Sequence, residues 1–153
     1  MTKSNKNRTF LKEPKRSINS IDAPESDYLY IELSQLPSAG KGLHTAINIY
    51  KEEIISLFRG EILTNIQAKN RARIGKDKYF INHTDGSIID SMKVKCFAKY
   101  ANDATAFKGS LFKNNAKITM DEQNNICLVA VRNIKAGEEI FCSYGKLYWK
   151  KHG

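Results

Sequence analysis

Little in this chain would crosslink it, span a membrane or direct its export. Cys96, Cys127 and Cys142 are the only cysteines among 153 residues. Odd in number and far apart, they suit reduced, buried thiols of a cytosolic or nuclear compartment better than a disulfide framework. No C-x-x-C or C-x-C pair occurs, and His44, His83 and His152 are scattered, so no metal site is expected. The longest apolar run, residues 126–131, is far shorter than the roughly 20 residues a membrane-spanning helix needs. Residues 1–20 are polar and contain no apolar signal-peptide segment. A soluble, unexported protein without membrane contact is expected, and no internal repeat divides it.

Acidic residues are also scarce, 16 against 25 basic ones, for a formal net charge of +9. The excess is concentrated at the start, where Lys3, Lys6, Arg8, Lys12, Lys15 and Arg16 face Glu13 alone. A segment this poor in apolar residues cannot bury enough surface to offset its ordering entropy. Residues 1–26 are therefore expected to form a disordered basic tail ahead of a single domain at 27–153. Such a tail either solvates the chain or makes a weak, salt-sensitive contact with nucleic acid phosphates.

The ordered part reads as many short strands. Residues 28–33 favour a strand, and Pro37, Gly40 and Gly42 then break it. Residues 54–58 and 61–63 are short apolar runs punctuated at Gly60, after which Thr64 or Asn65 can cap a surface helix that ends near Gly75. Hairpins are expected around Asp85-Gly86 and around residues 121–124. Met92, Cys96, Phe97 and Tyr100 have a helical spacing. Residues 129–131 and 139–144 read as two strands joined at Lys135-Ala136-Gly137, where glycine tolerates a positive φ. The fold class is mainly β, a β-rich α+β domain.

Six short motifs carry the functional signal. In order they are Ser38-Ala39-Gly40-Lys41-Gly42-Leu43, Phe58-Arg59-Gly60-Glu61, residues 85–90, Lys99-Tyr100-Ala101-Asn102-Asp103, Asn114-Asn115, and Gly137 through Tyr144, with Tyr148-Trp149 close behind. Each alone is weak; a G-x-G is an ordinary turn and the terminal aromatics are ordinary core residues. Together, in this order, they resemble the succession of motifs in SET-domain protein lysine methyltransferases, from Tyr30 to about Lys151.

The resemblance implies small curved sheets around a C-terminal pseudoknot, with the chain near Asn102 passing under the loop that contains Tyr144. It implies S-adenosylmethionine as cofactor and a protein or peptide carrying lysine, histones included, as substrate. Gly40, Lys41, Gly42, Tyr100, Asn102 and Asp103 match the cofactor side, and Trp149 resembles an aromatic that packs on adenine in compact, virus-encoded relatives. Tyr144 matches the tyrosine tied to catalysis. Phe58 and Tyr79 join it as candidate channel residues, and Tyr100 and Tyr148 are open as channel or core residues as well.

The chemistry asks for such a set. An in-line displacement needs a neutral amine, close approach and exclusion of water. A lysine with a reference pKa of about 10.4 must first lose its proton, which an apolar channel beside a positive charge favours. Three positions depart from the family pattern: Asp103 stands where histidine is usual, Ser143 where aspartate is common, and Phe58 where tyrosine often supplies a hydroxyl. The cysteine cluster that closes many relatives is missing, and residues 105–113 form a longer insertion than usual. A non-catalytic SET-like module that binds protein or chromatin therefore remains a second reading. A basic nucleic-acid-binding β-domain is a third, although no clear aromatic and basic stripe supports it.

Overall fold

The computed structural model describes residues 19–83 and 85–143. Short strands in three small sheets dominate this part of the chain. One sheet joins β1 (Leu29–Leu33), β2 (Lys41–Thr45) and β9 (Glu139–Ile140). The second has the order β10 (Cys142–Ser143), β7 (Ala116–Met120), β8 (Ile126–Ala130) and β3 (Ile54–Leu57). The third places β6 (Ile88–Asp90) between β4 (Glu61–Leu63) and β5 (Phe80–Asn82). A core of Leu43, Ile49, Ile55, Leu128, Ile134 and Ile140 lies beneath them, each almost wholly buried.

Local signals act where they are expected. Helix α1 (Asn65–Arg73) opens with a capping box in which the Thr64 hydroxyl accepts from the Gln67 amide and the Gln67 side chain accepts from the Thr64 amide. Its one buried residue is Ala68, so it rides on the surface. The β5–β6 and β7–β8 pairs are antiparallel hairpins across the two expected turns. Gly137, at φ 92, turns the chain into β9.

Three expectations need correction. First, β8 and β9 do not pair with each other: β8 lies between β7 and β3, β9 adds to β2, and β10 runs parallel to β7. Second, the helical spacing of residues 92–100 gives no α-helix, only a hydrogen-bonded turn at 91–94 and a 3-10 turn at Ala98–Tyr100. Their apolar side chains point inward from irregular backbone, with Cys96 and Ala98 buried. Third, the domain begins before residue 27. Ser20 bridges Ile54, Ile21 is buried, and Glu25 accepts from the Ser56 hydroxyl and the Leu57 amide.

The segment around residues 139–143 is clamped from two sides. Phe141 bridges Asn102, whose carbonyl accepts from the Cys142 amide at 2.9 Å. On the other side the buried Asn115 side chain donates to the Glu139 carbonyl at 2.9 Å and accepts from the Phe141 amide at 2.8 Å. These bonds seat the C-terminal segment between two stretches far away in sequence, as expected of the knotted arrangement.

Candidate functional site

A cavity of about 370 Å³ opens between the β1–β2 loop, the β5 strand and the turns at 98–107. That volume lies in the usual range for small-molecule sites, about 300–1,000 Å³. Gly40 and Lys41 line it from the loop, and Phe58 from the end of β3. Tyr79, Tyr100, Asn102 and Asp103 complete the residues expected from the sequence. Seven positions spread from 40 to 103 thus share one pocket. Tyr144, Tyr148 and Trp149 lie outside the described residues.

On the loop side, Ser38 and Gly40 have φ values of 61 and 75, and the Gly40 carbonyl accepts from Ser34 at 2.7 Å to close the turn. A Cβ built at Gly40 would meet no heavy atom within 4 Å, so glycine serves the backbone twist and keeps the mouth clear. The Asn102 amide donates to the Lys41 carbonyl at 3.0 Å and fixes this loop to the turn that follows.

Gly42 is the exception among the expected cofactor-side residues. It is buried in β2 and does not line the cavity; a Cβ there would run into the Glu139 carboxylate and press on Ser34 Cα at 3.2 Å. Glu139 itself is buried, accepting from the Ser34 hydroxyl at 2.6 Å and the Gln35 amide at 2.7 Å, with His44 Nε2 at 3.9 Å. The second glycine therefore makes room for a buried carboxylate that holds the β1–β2 loop.

Asp103 lines the cavity, and its side chain also secures the loop beside it. Its carboxylate accepts from the Thr105 amide and hydroxyl and from the Asn114 side chain, at 2.9, 2.6 and 2.9 Å. Asn114 in turn accepts from the Ala104 amide at 2.8 Å. These bonds tie together the two ends of the 105–113 insertion, so an acceptor-only side chain replaces histidine to staple the loop. Within that loop Phe107 lines the cavity and packs against the cluster of Leu36, Ala104 and Phe141.

The opposite wall holds residues the sequence reading did not select: Lys78, Phe80, Ile81, Ser91 and Lys99. Lys78 and Tyr79 precede β5, and Ser91 follows β6, so the hairpin pattern places both ends of this sheet together. No local signal singles them out. Lys41, Lys78 and Lys99 give the cavity a positive lining, whereas the Asp103 carboxylate is committed to the loop staple. Away from the cavity, burial and then Asp121 push the Cys127 thiol up to about 11, leaving it an inert core group. Among the described residues no cluster of three His, Cys, Asp or Glu could hold a metal ion, and no helix is long and apolar enough to cross a membrane.

This architecture and the comparisons agree on the class. The model of the SET domain matches residues 40–145, and the chain belongs to that family. It is 28% identical over 124 residues to the histone-lysine N-methyltransferase set-1 of Caenorhabditis elegans, a match covering 69% of this chain and 46% of that protein. Among solved structures it resembles an apo ctPRC2 carrying two mutations in Ezh2, with a TM-score of 0.65 and 27% identity over 81% of this chain and 16% of the other. The chain thus spans less than half the length of the curated relative it matches.

Proposed function

We propose that this SET domain transfers methyl groups from S-adenosylmethionine to lysine side chains of a protein. The observation that carries the reading is the convergence of Gly40, Lys41, Phe58, Tyr79, Tyr100 and Asn102 on one cavity. The cavity suits the cofactor in size, its clear space at Gly40 admits close approach to backbone, and Asn102 and the Gly40–Lys41 peptides offer polar contacts. When bound, the cofactor would supply an electrophilic methyl group whose carbon a neutral amine attacks in line, with the thioether S-adenosylhomocysteine as the leaving group.

The chain's own residues favour that neutral amine. Phe58, Phe80 and Ile81 supply apolar wall, and desolvation disfavours the charged form of an entering lysine. The fixed positive charges of Lys78 and Lys99 act in the same direction. Tyr79 and Tyr100 can orient the amine without adding a competing charge, and Tyr144, the family's catalytic tyrosine by motif, would complete the channel. Histones are the first substrates to try, given the name of the set-1 relative, and a nuclear or cytoplasmic site of action fits. The basic stretch at 1–18 would add a weak, salt-dependent contact with nucleic acid.

Calorimetric titration with S-adenosylhomocysteine, paired with labelled methyl transfer to histones and to a whole proteome read by mass spectrometry, tests this. Binding and labelling are expected, with Tyr144→Phe lowering turnover while leaving the melting temperature in place. The missing hydroxyl at Phe58 and the engaged carboxylate of Asp103 favour the second reading, a non-catalytic protein- or chromatin-binding module. A heat of binding without transfer to any protein would select it.

A further inference from the structure

Lys99 is built into the cavity wall in an unusual way. An ammonium has three donors and no acceptor, and its Nζ meets three backbone carbonyls, Ser91 at 2.8 Å, Val94 at 3.1 Å and Met92 at 3.3 Å. The faces of Tyr79 and Tyr100 complete its surroundings, with ring centroids 5.2 and 5.4 Å away. One cation thus collects a turn after β6, a residue before β5 and its own neighbour in the 98–100 turn. Tyr79, Ser91 and Tyr100 all line the cavity.

We infer that Lys99 is a positioning residue that sets Tyr79 and Tyr100, with Tyr100 taken as a channel rather than a cofactor residue, an inference that rests on the methyltransferase reading. Carbonyl dipoles aimed at one point repel each other unless a cation sits among them, so the ammonium reinforces a 91–94 turn whose own closing bond, from the Val94 amide to the Ser91 carbonyl, is long at 3.3 Å. Cation–π attraction then fixes both rings relative to that turn. The loop of Gly40 and Lys41 is held separately, through Asn102. Loss of the ammonium therefore loosens the amine side and leaves the cofactor side intact. Arginine is a poor substitute, because its planar fork cannot direct three donors to one convergent set of carbonyls.

The test uses the full chain as wild type, Lys99→Ala, Lys99→Met and Lys99→Arg. Hydrogen exchange of the 91–95 amides is expected to quicken in the Ala and Met variants. Turnover is expected to fall about ten- to a hundred-fold, while the Kd for S-adenosylhomocysteine stays within about two-fold. Propylammonium, which replaces the deleted side chain, is expected to restore protection and several-fold of the turnover in Lys99→Ala, whereas propanol is not. Lys99→Arg is expected to resemble the Met variant. Unchanged exchange at 91–95, full turnover in Lys99→Met, or cofactor binding lost in step with turnover would each overturn the assignment. A wild-type chain that binds no S-adenosylhomocysteine would instead bring down the methyltransferase reading beneath it, and the exchange data would separate the two failures.

Discussion

The 139–142 segment backs the cavity through Asn102 and Phe107, whereas the lobe made by β4, α1, β5 and β6 lines it through β5, and the two are secured by opposite means. The first is short and buried, held by the amides of Asn115, by the Asn102 backbone and by a carboxylate at Glu139 that reaches the β1–β2 loop. The second presents Ile62, Ile66 and Ile74 to solvent, each more than 60% exposed, and buries little besides Leu63, Ala68 and Phe80. Its strongest tie is Arg71, which donates to Asp90 at 2.7 Å and to Glu61 at 3.0 Å. The difference shows where a SET-type pocket needs rigidity: at the crossing of distant segments, where a misplaced backbone would shift several lining residues together.

The sharpest way to break this contrast is Asn115→Ala. It strands the Glu139 carbonyl and the Phe141 amide in the interior, and unfolding in denaturant should show a loss of about 3 kcal/mol. An unaltered midpoint would mean that the clamp is not what holds the segment. Next comes Gly42→Ala, which forces the buried Glu139 carboxylate and Ser34 to give way. A cost of about 1–3 kcal/mol is expected in a thermal melt, although nothing in the cavity wall is touched. In the lobe, Ile66→Gln should change stability by no more than about 0.5 kcal/mol, since Ile66 is 73% exposed. A larger effect in the chain alone would reveal that this face is covered.

The smallest effect concerns acid. The hydrogen bond from Arg71 holds the Glu61 carboxyl below its ordinary value, with the charges of Arg71 and Lys93 adding to it against partial desolvation. A depressed carboxylate contributes stability above its unfolded value, and that contribution fades as pH falls through the folded one. The gap in melting temperature between wild type and Glu61→Gln should therefore be small near neutrality, as for exposed pairs generally. It should close between about pH 5 and pH 3. A gap that widens in acid would reverse the sign and refute the pairing.

Much of the fold was legible because its signals are local. Asp85-Gly86 marks the β5–β6 turn, and Thr64 with Gln67 marks the start of α1; each depends on a few neighbouring residues. The expected β8–β9 hairpin failed because strand partners are chosen by the whole sheet, and β9 finds β2 rather than its sequence neighbour. The candidate site was legible as motifs in order, and seven of those positions do meet. Gly42 carries the motif yet makes room for Glu139, and Asp103, one of the seven, also staples the 105–113 loop, which no spacing rule could reveal. Lys99 stood inside a quoted motif without a role, because three carbonyls from 91–94 give it one only after β5 and β6 have paired.

The sequence by itself determined the short strands, the capped surface helix, the positive charge and the order of motifs that marks the family. These follow from propensities and contacts within a few residues. Tertiary structure alone decided which glycine borders the cavity, where buried carboxylates hold the loops beside it, and how an ammonium is caged beside two tyrosines. Each of those depends on groups that meet only when segments tens of residues apart are packed together, and a linear pattern of residue types carries no record of that distance.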